Sequence, residues 1–289
     1  MKDHLVRILT EDKTLRAAAA ATTGLVDETR RRQGTDPTAT VAIGRLISGA
    51  ALLGSQLKGA QRLALLIEGN GPLQRLHAEA DAYGHVRASL KTPVAGLPPR
   101  GNQFDVAGAV GRAGFLHVTK DLGMKEPYRG MVQLYSSEIA EDLAYYLTTS
   151  EQIPSMVALG VCLGKEAEAK AAGGLLVQAM PGCPDERIGV LEERLRAMPP
   201  TTDLLGEGLS PLQILERLLA GIPFTVQAET DLAFRCICSQ PQILRMLHSL
   251  GKEELRHLAE RPEETVVTCH FCNEDYHVSR QELIALAKD

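Results

Sequence analysis

Apolar and polar residues alternate over residues 4–11, which predicts an opening strand. Asp36-Pro37 predicts a helix start, with Asp as N-cap and Pro at the first helical position. The Ala-, Gly- and Leu-rich helix expected from there runs to about Leu57, and its small residues allow close packing in a core. Residues 61–68 read as a buried strand, broken by Gly69-Asn70-Gly71-Pro72. Residues 73–80 and 85–90 alternate around Ala82-Tyr83-Gly84, the pattern of a hairpin. Further strands are predicted over 115–119 and 129–135. Ser137 is expected to cap a helix whose first turn holds Glu138, Glu141 and Asp142, acids suited to the positive end of its dipole. Residues 155–163 and 174–180 read as two strands around the charged turn 165–170. Many strands with few helices make residues 1–180 an α+β domain. His77, His85 and His117 stand isolated on strand-like stretches and read as packed or exposed side chains.

The pattern changes at Pro181-Gly182-Cys183-Pro184. Ile188, Leu191, Leu195 and Met198 fall at helical spacing, and Pro199-Pro200 ends that helix. A second helix opens at Ser210-Pro211 and carries Leu212, Leu215, Leu218 and Leu219 to a stop at Gly221. Short amphipathic helices of this kind are not stable alone and must lie on another surface. Residues 181–232 are therefore a helical linker, either an ordinary connection or a cover over apolar surface. Residues 241–250 and 252–259 predict short helices, and 265–268 a strand. The expected organisation is an α+β core domain (1–180), a helical linker (181–232) and a small C-terminal domain (233–289).

The C-terminal segment holds the candidate chemistry. Cys236-Ile-Cys238 and Cys269-His-Phe-Cys272 are two tight cysteine pairs, a CxC and a CxxC. Four thiolates in two close pairs suit a closed tetrahedral zinc site, because each pair supplies two ligands without a long ordered loop. That zinc could be a plain staple for a tail too small to bury its own core. The cysteines could also be ordinary buried thiols. A third reading is redox: i,i+2 and i,i+3 cysteines both fall within disulfide reach, so the same residues could hold zinc when reduced and form two local disulfides when oxidised. His248, His257, His270 and His277 could replace a ligand, but four cysteines already suffice.

Composition narrows the partners. The chain of 289 residues has 44% hydrophobic and 23% charged residues, as expected of a folded protein with room for more than one domain. It has no Trp and only 5 Phe, so its core must be built on Leu, Val, Ile and Ala. No apolar run is expected to span a membrane, and the N-terminus starts no signal peptide. Six cysteines without an export signal suggest a reducing cytoplasm. The net charge of -5 is uneven. Residues 1–180 carry twenty basic against eighteen acidic side chains, 181–232 four against nine, and 233–289 seven against nine. A zinc ribbon that grips nucleic acid should be basic, so nucleic acid is not expected as a partner. No GxxxxGK[ST] loop, GxGxxG fingerprint, GxSxG elbow or HExxH is present, so nucleotide-driven and hydrolytic chemistry find no support and no enzyme is expected.

With these residues in hand, the chain resembles the redox-regulated heat-shock chaperones, the thirty-three-kilodalton chaperonin family. The resemblance rests on the two cysteine pairs and their separation, on Gly173-Gly-Leu-Leu-Val-Gln-Ala-Met-Pro181, and on Ser137–Leu147 followed by Ser150-Glu-Gln-Ile-Pro-Ser155, and it covers essentially the whole chain. It implies a cytoplasmic, ATP-independent holdase, inactive while reduced and loaded with one zinc ion on Cys236, Cys238, Cys269 and Cys272. It further implies that oxidants acting with unfolding conditions form Cys236–Cys238 and Cys269–Cys272 disulfides and release zinc. The C-terminal domain and linker then lose structure and expose surface for unfolded clients, with dimers in the active form. The alternative expectation is a constitutive zinc-stapled adaptor; a CxxC thiol oxidoreductase is disfavoured by the lack of a thioredoxin-like context. Two departures stand out. His270 occupies a position where the family pattern leads one to expect an acid, and Ser239-Gln240-Pro241 lacks charge; both bear on oxidation sensitivity rather than ligation. Cys183 is an extra thiol, read as a spectator.

Overall fold

The computed structural model describes residues 2–101, 103–261 and 263–288. The chain divides into two compact units, Met1–Phe234 and Arg235–Asp289.

The larger unit begins with the strand pair β1 (His4–Thr10) and β2 (Leu15–Ala21), then helices α1 (Thr23–Gln33) and α2 (Pro37–Gly54). Strands β3 (Arg62–Gly69), β4 (Arg75–Asp81) and β5 (His85–Leu90) form a meander. A short α3 (Val106–Val110) precedes β6 (Gly114–Asp121) and β7 (Tyr128–Gln133). Helix α4 (Ala140–Thr149) leads to the hairpin β8 (Ser155–Leu163) and β9 (Ala169–Ala179). Helices α5 (Asp185–Ala197), α6 (Thr201–Gly206) and α7 (Pro211–Leu218) follow, then β10 (Phe224–Asp231) and β11 (Ala233–Phe234). Two sheets result: a five-stranded one in the order β10-β1-β2-β9-β8, and a six-stranded one in the order β11-β5-β4-β3-β6-β7. All pairings are antiparallel except β11 with β5. The architecture is α+β, as the sequence predicts.

Helix α2 lies between the two sheets, touching β2, β8 and β9 on one side and β3, β4 and β5 on the other. Its composition follows from that position: with sheets on both flanks, every residue but Pro37 and Arg45 is buried. By length and hydropathy this helix could cross a membrane, contrary to the expectation that no run reaches such a length; 89% of it is buried as a core helix. Asp36 sets its start, accepting hydrogen bonds from the backbone N–H groups of Ala39 (2.8 Å), Ala95 (2.8 Å) and Gly96 (2.9 Å). The same carboxylate thus caps α2 and fastens the loop that follows β5. Close approach requires glycine at two points: a Cβ at Gly49 would lie 2.5 Å from Leu143, and one at Gly44 2.7 Å from Val161.

Strand β2, Leu-Arg-Ala-Ala-Ala-Ala-Ala, is covered on both faces. Ala18 and Ala20 join the core around α2, while Ala17, Ala19 and Ala21 join a second core with Val6, Ile8, Leu175 and Val177. That second core is closed by Leu191, Leu204, Leu205, Ile214, Leu215, Leu218 and Leu219 of the α5–α7 segment. Alanine keeps the sheet thin enough for helices on each side. Gly173 and Gly174 in β9 serve the same closeness, since a Cβ would meet the carbonyl oxygens of Ala20 at 2.2 Å and Ala158 at 2.4 Å.

Two local expectations need correction. Ser137 does not cap α4. It takes a positive φ of 66° and donates its hydroxyl to the Gly111 carbonyl, while Asp142 accepts the N–H groups of Tyr135, Ser136 and Ser137. A buried acid inside the helix thus organises its entry, which a sequence reading based on capping residues overlooks. The stretch read as a helical linker also ends differently. After α7 the chain forms β10 and pairs antiparallel with β1 along its length, because Phe224 and Ala228 find backbone partners there. His77, His85 and His117 lie partly buried in strands, beside Glu79 (3.6 Å), Asp81 (2.9 Å) and Glu68 (3.5 Å) respectively.

Removing the Asp36 carboxylate as Asp36→Ala should lower the stability of the larger unit by about 2 kcal/mol, the scale of a lost N-cap plus loop hydrogen bonds. Urea melting followed by far-ultraviolet circular dichroism measures it; an unchanged midpoint would show that the cap contributes nothing.

Candidate metal centre

The smaller unit comprises α8 (Gln240–His248), α9 (Lys252–Glu260), the hairpin β12 (Thr265–Thr268) and β13 (Asp275–Val278), and α10 (Arg280–Leu286). Its core is slight: Ile243, Leu247, Leu255, Ala259, Val278, Leu283 and Ala287 are its buried apolar members, with no large aromatic among them. Ser279 starts α10 with a reciprocal capping box to Glu282, which is the local economy of a segment with little core.

The hairpin builds half of the site. Strands β12 and β13 pair from Thr265↔Val278 to Thr268↔Asp275, leaving Cys269 to Glu274 as the connection. That turn is closed by the Cys269 N–H donating to Glu274 O (2.9 Å) and the Asn273 N–H donating to Cys269 O (2.8 Å). Asn273 adopts φ 57°, a left-handed conformation that Asn tolerates better than most residues. Cys269 and Cys272 are thereby held on one loop. Cys236 and Cys238 come from the irregular segment just ahead of α8. Gln240 at the start of α8 donates its amide to His277 O (2.9 Å), fixing that segment against β13.

The four sulfurs lie within 4.8 Å of one another. Cys238 is 3.1 Å from Cys272 and 3.3 Å from Cys236, and Cys236 is 3.7 Å from Cys269. Tetrahedral thiolates around a zinc-sized cation would be separated by about 3.8 Å, given metal–sulfur bonds of about 2.3 Å, so the cluster has the right size and donor set. Cys272 is buried and the others are partly so. Burial, reinforced by the neighbouring Cys238 thiol, pushes the Cys272 thiol well above its ordinary range, and burial likewise raises Cys238. Cys272 and Cys238 therefore resist ionisation as they stand, and a divalent cation would reverse that preference. The Tyr276 hydroxyl, 3.0 Å from Cys238 Sγ, supports that sulfur from outside the cluster.

The structure brings together all four residues singled out from the sequence. It leaves the other candidates elsewhere. Cys162 is exposed on β8, and Cys183 packs partly buried against the second core of the larger unit. His277 turns its ring to Glu264 (2.9 Å). Tyr276 was missed by sequence reasoning. A second alternating strand after the CxxC, Asp275-Tyr-His-Val278, was the available sign that the cysteines sit in a hairpin whose return strand could carry a supporting side chain.

A cysteine cluster able to hold a metal ion in a small C-terminal unit, in a chain whose other unit is an α+β fold of two sheets around a helix, defines the class of two-unit proteins to which this chain is compared. Comparison with known proteins makes the class particular. The family model described as Hsp33 protein matches residues 3–279. The 33 kDa chaperonin of Syntrophotalea carbinolica is 63% identical, the match covering 99% of each chain. That of Geobacter sulfurreducens is 50% identical over 97% of this chain and 93% of its own. The crystal structure of the 33 kDa chaperonin of Thermotoga maritima superposes with a TM-score of 0.92 at 34% identity, covering 100% of this chain and 98% of its counterpart. The chain belongs to the Hsp33 family.

Titrating the reduced, metal-free protein with cobalt(II) should produce the absorption of tetrahedral thiolate coordination, saturating at one equivalent. Cys272→Ser should weaken that binding by at least about tenfold. Unaltered binding by the Ser variant would remove Cys272 from the ligand set.

Proposed function

We propose that the protein is a redox-regulated, ATP-independent holdase of the cytoplasm rather than an enzyme, active only after its four clustered cysteines are oxidised. The single observation that carries the redox switch is the meeting of Cys236, Cys238, Cys269 and Cys272 in the unit with the least core. Membership in a family whose relatives are named chaperonins supports the client class, unfolded proteins.

In the reduced state the four cysteines hold one zinc ion, which supplies the charge that keeps the sulfurs as thiolates and ties the two pairs together. A thiolate sulfur attacks the O–O bond of peroxide, releasing hydroxide and leaving a sulfenic acid. Its neighbour then attacks that sulfur and expels a second hydroxide, so that each disulfide consumes two thiolates and gives up two electrons. The pairs formed are Cys236–Cys238 and Cys269–Cys272. Sulfurs joined in this way no longer serve as ligands, and the small unit loses the tie that its core cannot replace.

The α5–α7 segment, within residues 181–232, is the cover in this reading. Its leucines shield Val6, Ile8, Ala17, Ala19, Leu175 and Val177. Arg187 pins it by an ion pair to Asp12 and a 2.7 Å hydrogen bond to Thr14, and Arg194 donates to Ala220 O at 2.7 Å. Apart from such anchors its hold is side-chain burial, so it opens at lower cost than the sheets beneath. Opening presents apolar surface to unfolded chains and to a second active copy, giving the dimer.

Light scattering from a heat-unfolded client tests the reading. Suppression only by peroxide-treated protein, reversed by a thiol reductant, is the expected result. Equal suppression by reduced protein would discard the switch. Suppression by neither form, with zinc retained in peroxide, would favour a stapled adaptor.

The cover makes a separate prediction. Leu215→Asp with Leu218→Asp places charges in the second core and should make the reduced, zinc-loaded protein suppress aggregation without oxidant. A variant that loses helix signal yet stays inactive would show that this segment is not the gate.

A further inference from the structure

Where the five-stranded sheet meets the C-terminal end of α2, the larger unit contains a cavity of about 340 Å³. Register places its charged residues on one face. Leu9 lies opposite Arg16, Arg7 opposite Ala18, and Arg16 opposite Gln178, so both guanidinium groups share the side of the sheet that faces α2. Ser55 and Gln56, just beyond α2, and Gln227 of β10 complete the polar lining.

The polar side chains here are pre-set. Gln178 is 1% exposed, and its amide is fully directed. Its oxygen accepts from Arg16 Nε (2.9 Å) and Gln56 Nε2 (2.6 Å), while its nitrogen donates to Ser155 (3.1 Å). The bonds hold Arg16 by one edge. Its terminal guanidinium nitrogens make no hydrogen bond or ion pair among the described residues, and neither does any side-chain nitrogen of Arg7. No acidic side chain lines the cavity. Burial lowers the Arg16 pKa; Glu151, a carboxylate already engaged by Lys120 and Tyr146, offsets this in part, and the nearby Arg7 charge adds to it. The β10 register slips by one residue between Arg7 and Ile8, leaving Gln227 as the extra residue of a bulge at the cavity wall. Bulges of this kind commonly re-aim a side chain beside a binding site.

Two guanidinium groups with unused donors, no acid in the cavity lining and amide side chains around them form a receptor for an oxyanion. We propose that this cavity binds a small molecule bearing a phosphate or carboxylate group, with the charged group on Arg7 and Arg16 and its apolar part against Leu176 and Met180. The volume falls at the small end of ligand pockets, which suits a compact metabolite and not a macromolecular segment. This site is separate from the cysteine cluster, and its occupancy needs no oxidation.

The test uses the full-length, reduced, zinc-loaded protein at fixed ionic strength, with chloride as the reference anion. Isothermal titration is run with inorganic phosphate in one arm and hexanoate in the other. Saturable binding in either arm, weakened at least about tenfold in both Arg7→Gln and Arg16→Gln, is expected and identifies the oxyanion. Arg7 has no partner to lose, so Arg7→Gln keeps the test valid if Arg16→Gln loosens Gln178 and the fold. Heat that never saturates in either arm, or saturable binding that Arg7→Gln leaves unchanged, overturns the proposal.

Discussion

Burial of α2 between two sheets is the constraint on which the larger unit depends. A helix flanked on both sides cannot carry a polar stripe, and Arg45 is the one charge in its length; its guanidinium reaches Glu138. Both sheets take their inner faces from this contact, and the five-stranded sheet is thin enough, through its alanine strand, to be covered again on its outer face. The larger unit therefore has one core that is inseparable from its topology and a second that is closed by three helices applied from outside. The first cannot open without unfolding the sheets. The second rests on side-chain burial, so the strands beneath would keep their ladder hydrogen bonds if α5–α7 left, as proposed.

The smaller unit is built on the opposite terms. A unit of 55 residues whose core cluster, among the described residues, holds seven buried apolar side chains has little core to stabilise it. The Ser279–Glu282 capping box and a short hairpin help, but each contributes only about 1 kcal/mol. In the proposed reading a cation held by the clustered cysteines supplies what is lacking, which would make the fold of this unit depend on the chemical state of four sulfur atoms. Placing oxidisable residues where they are structurally indispensable converts a change in redox state into a change in order. The same cysteines in the larger unit, where α2 secures the sheets, would oxidise with little structural consequence.

How much of this was legible in the sequence followed physical lines. Strands with one buried face, such as β3, β4 and β6, alternate and were read close to their bounds. Strand β2 was not, because five consecutive alanines suggest a helix and have poor strand propensity; only burial on both faces explains them. Strand β10 was missed for a related reason: it follows amphipathic helices and owes its conformation to the open edge of β1, a partner more than two hundred residues away. The metal centre was the most legible feature, since close cysteine pairs carry their geometry in their spacing. The arginine cavity was the least, because Arg7, Arg16 and Gln178 meet only through strand register.

Proximity alone does not select the disulfides proposed for the oxidised state. In the folded cluster Cys238 and Cys272, which belong to different pairs, approach to 3.1 Å, as close as the 3.3 Å between Cys236 and Cys238. What distinguishes the pairs is what happens to those distances as the unit opens. Cys236–Cys238 and Cys269–Cys272 are separated by two and three positions, so their sulfurs stay within reach in an unfolded chain. Cys238 and Cys272 meet through folded structure, including the hairpin and the Gln240–His277 bond, and its loss lets more than thirty residues of chain relax between them. If oxidation is coupled to unfolding, as proposed, the local pairs are the ones that remain within reach. A disulfide between Cys238 and Cys272 would instead lock the folded arrangement and defeat a switch whose output is loss of structure. The proposed need for unfolding conditions beside the oxidant is compatible with that geometry, because unfolding would remove the competing cross-pair contact.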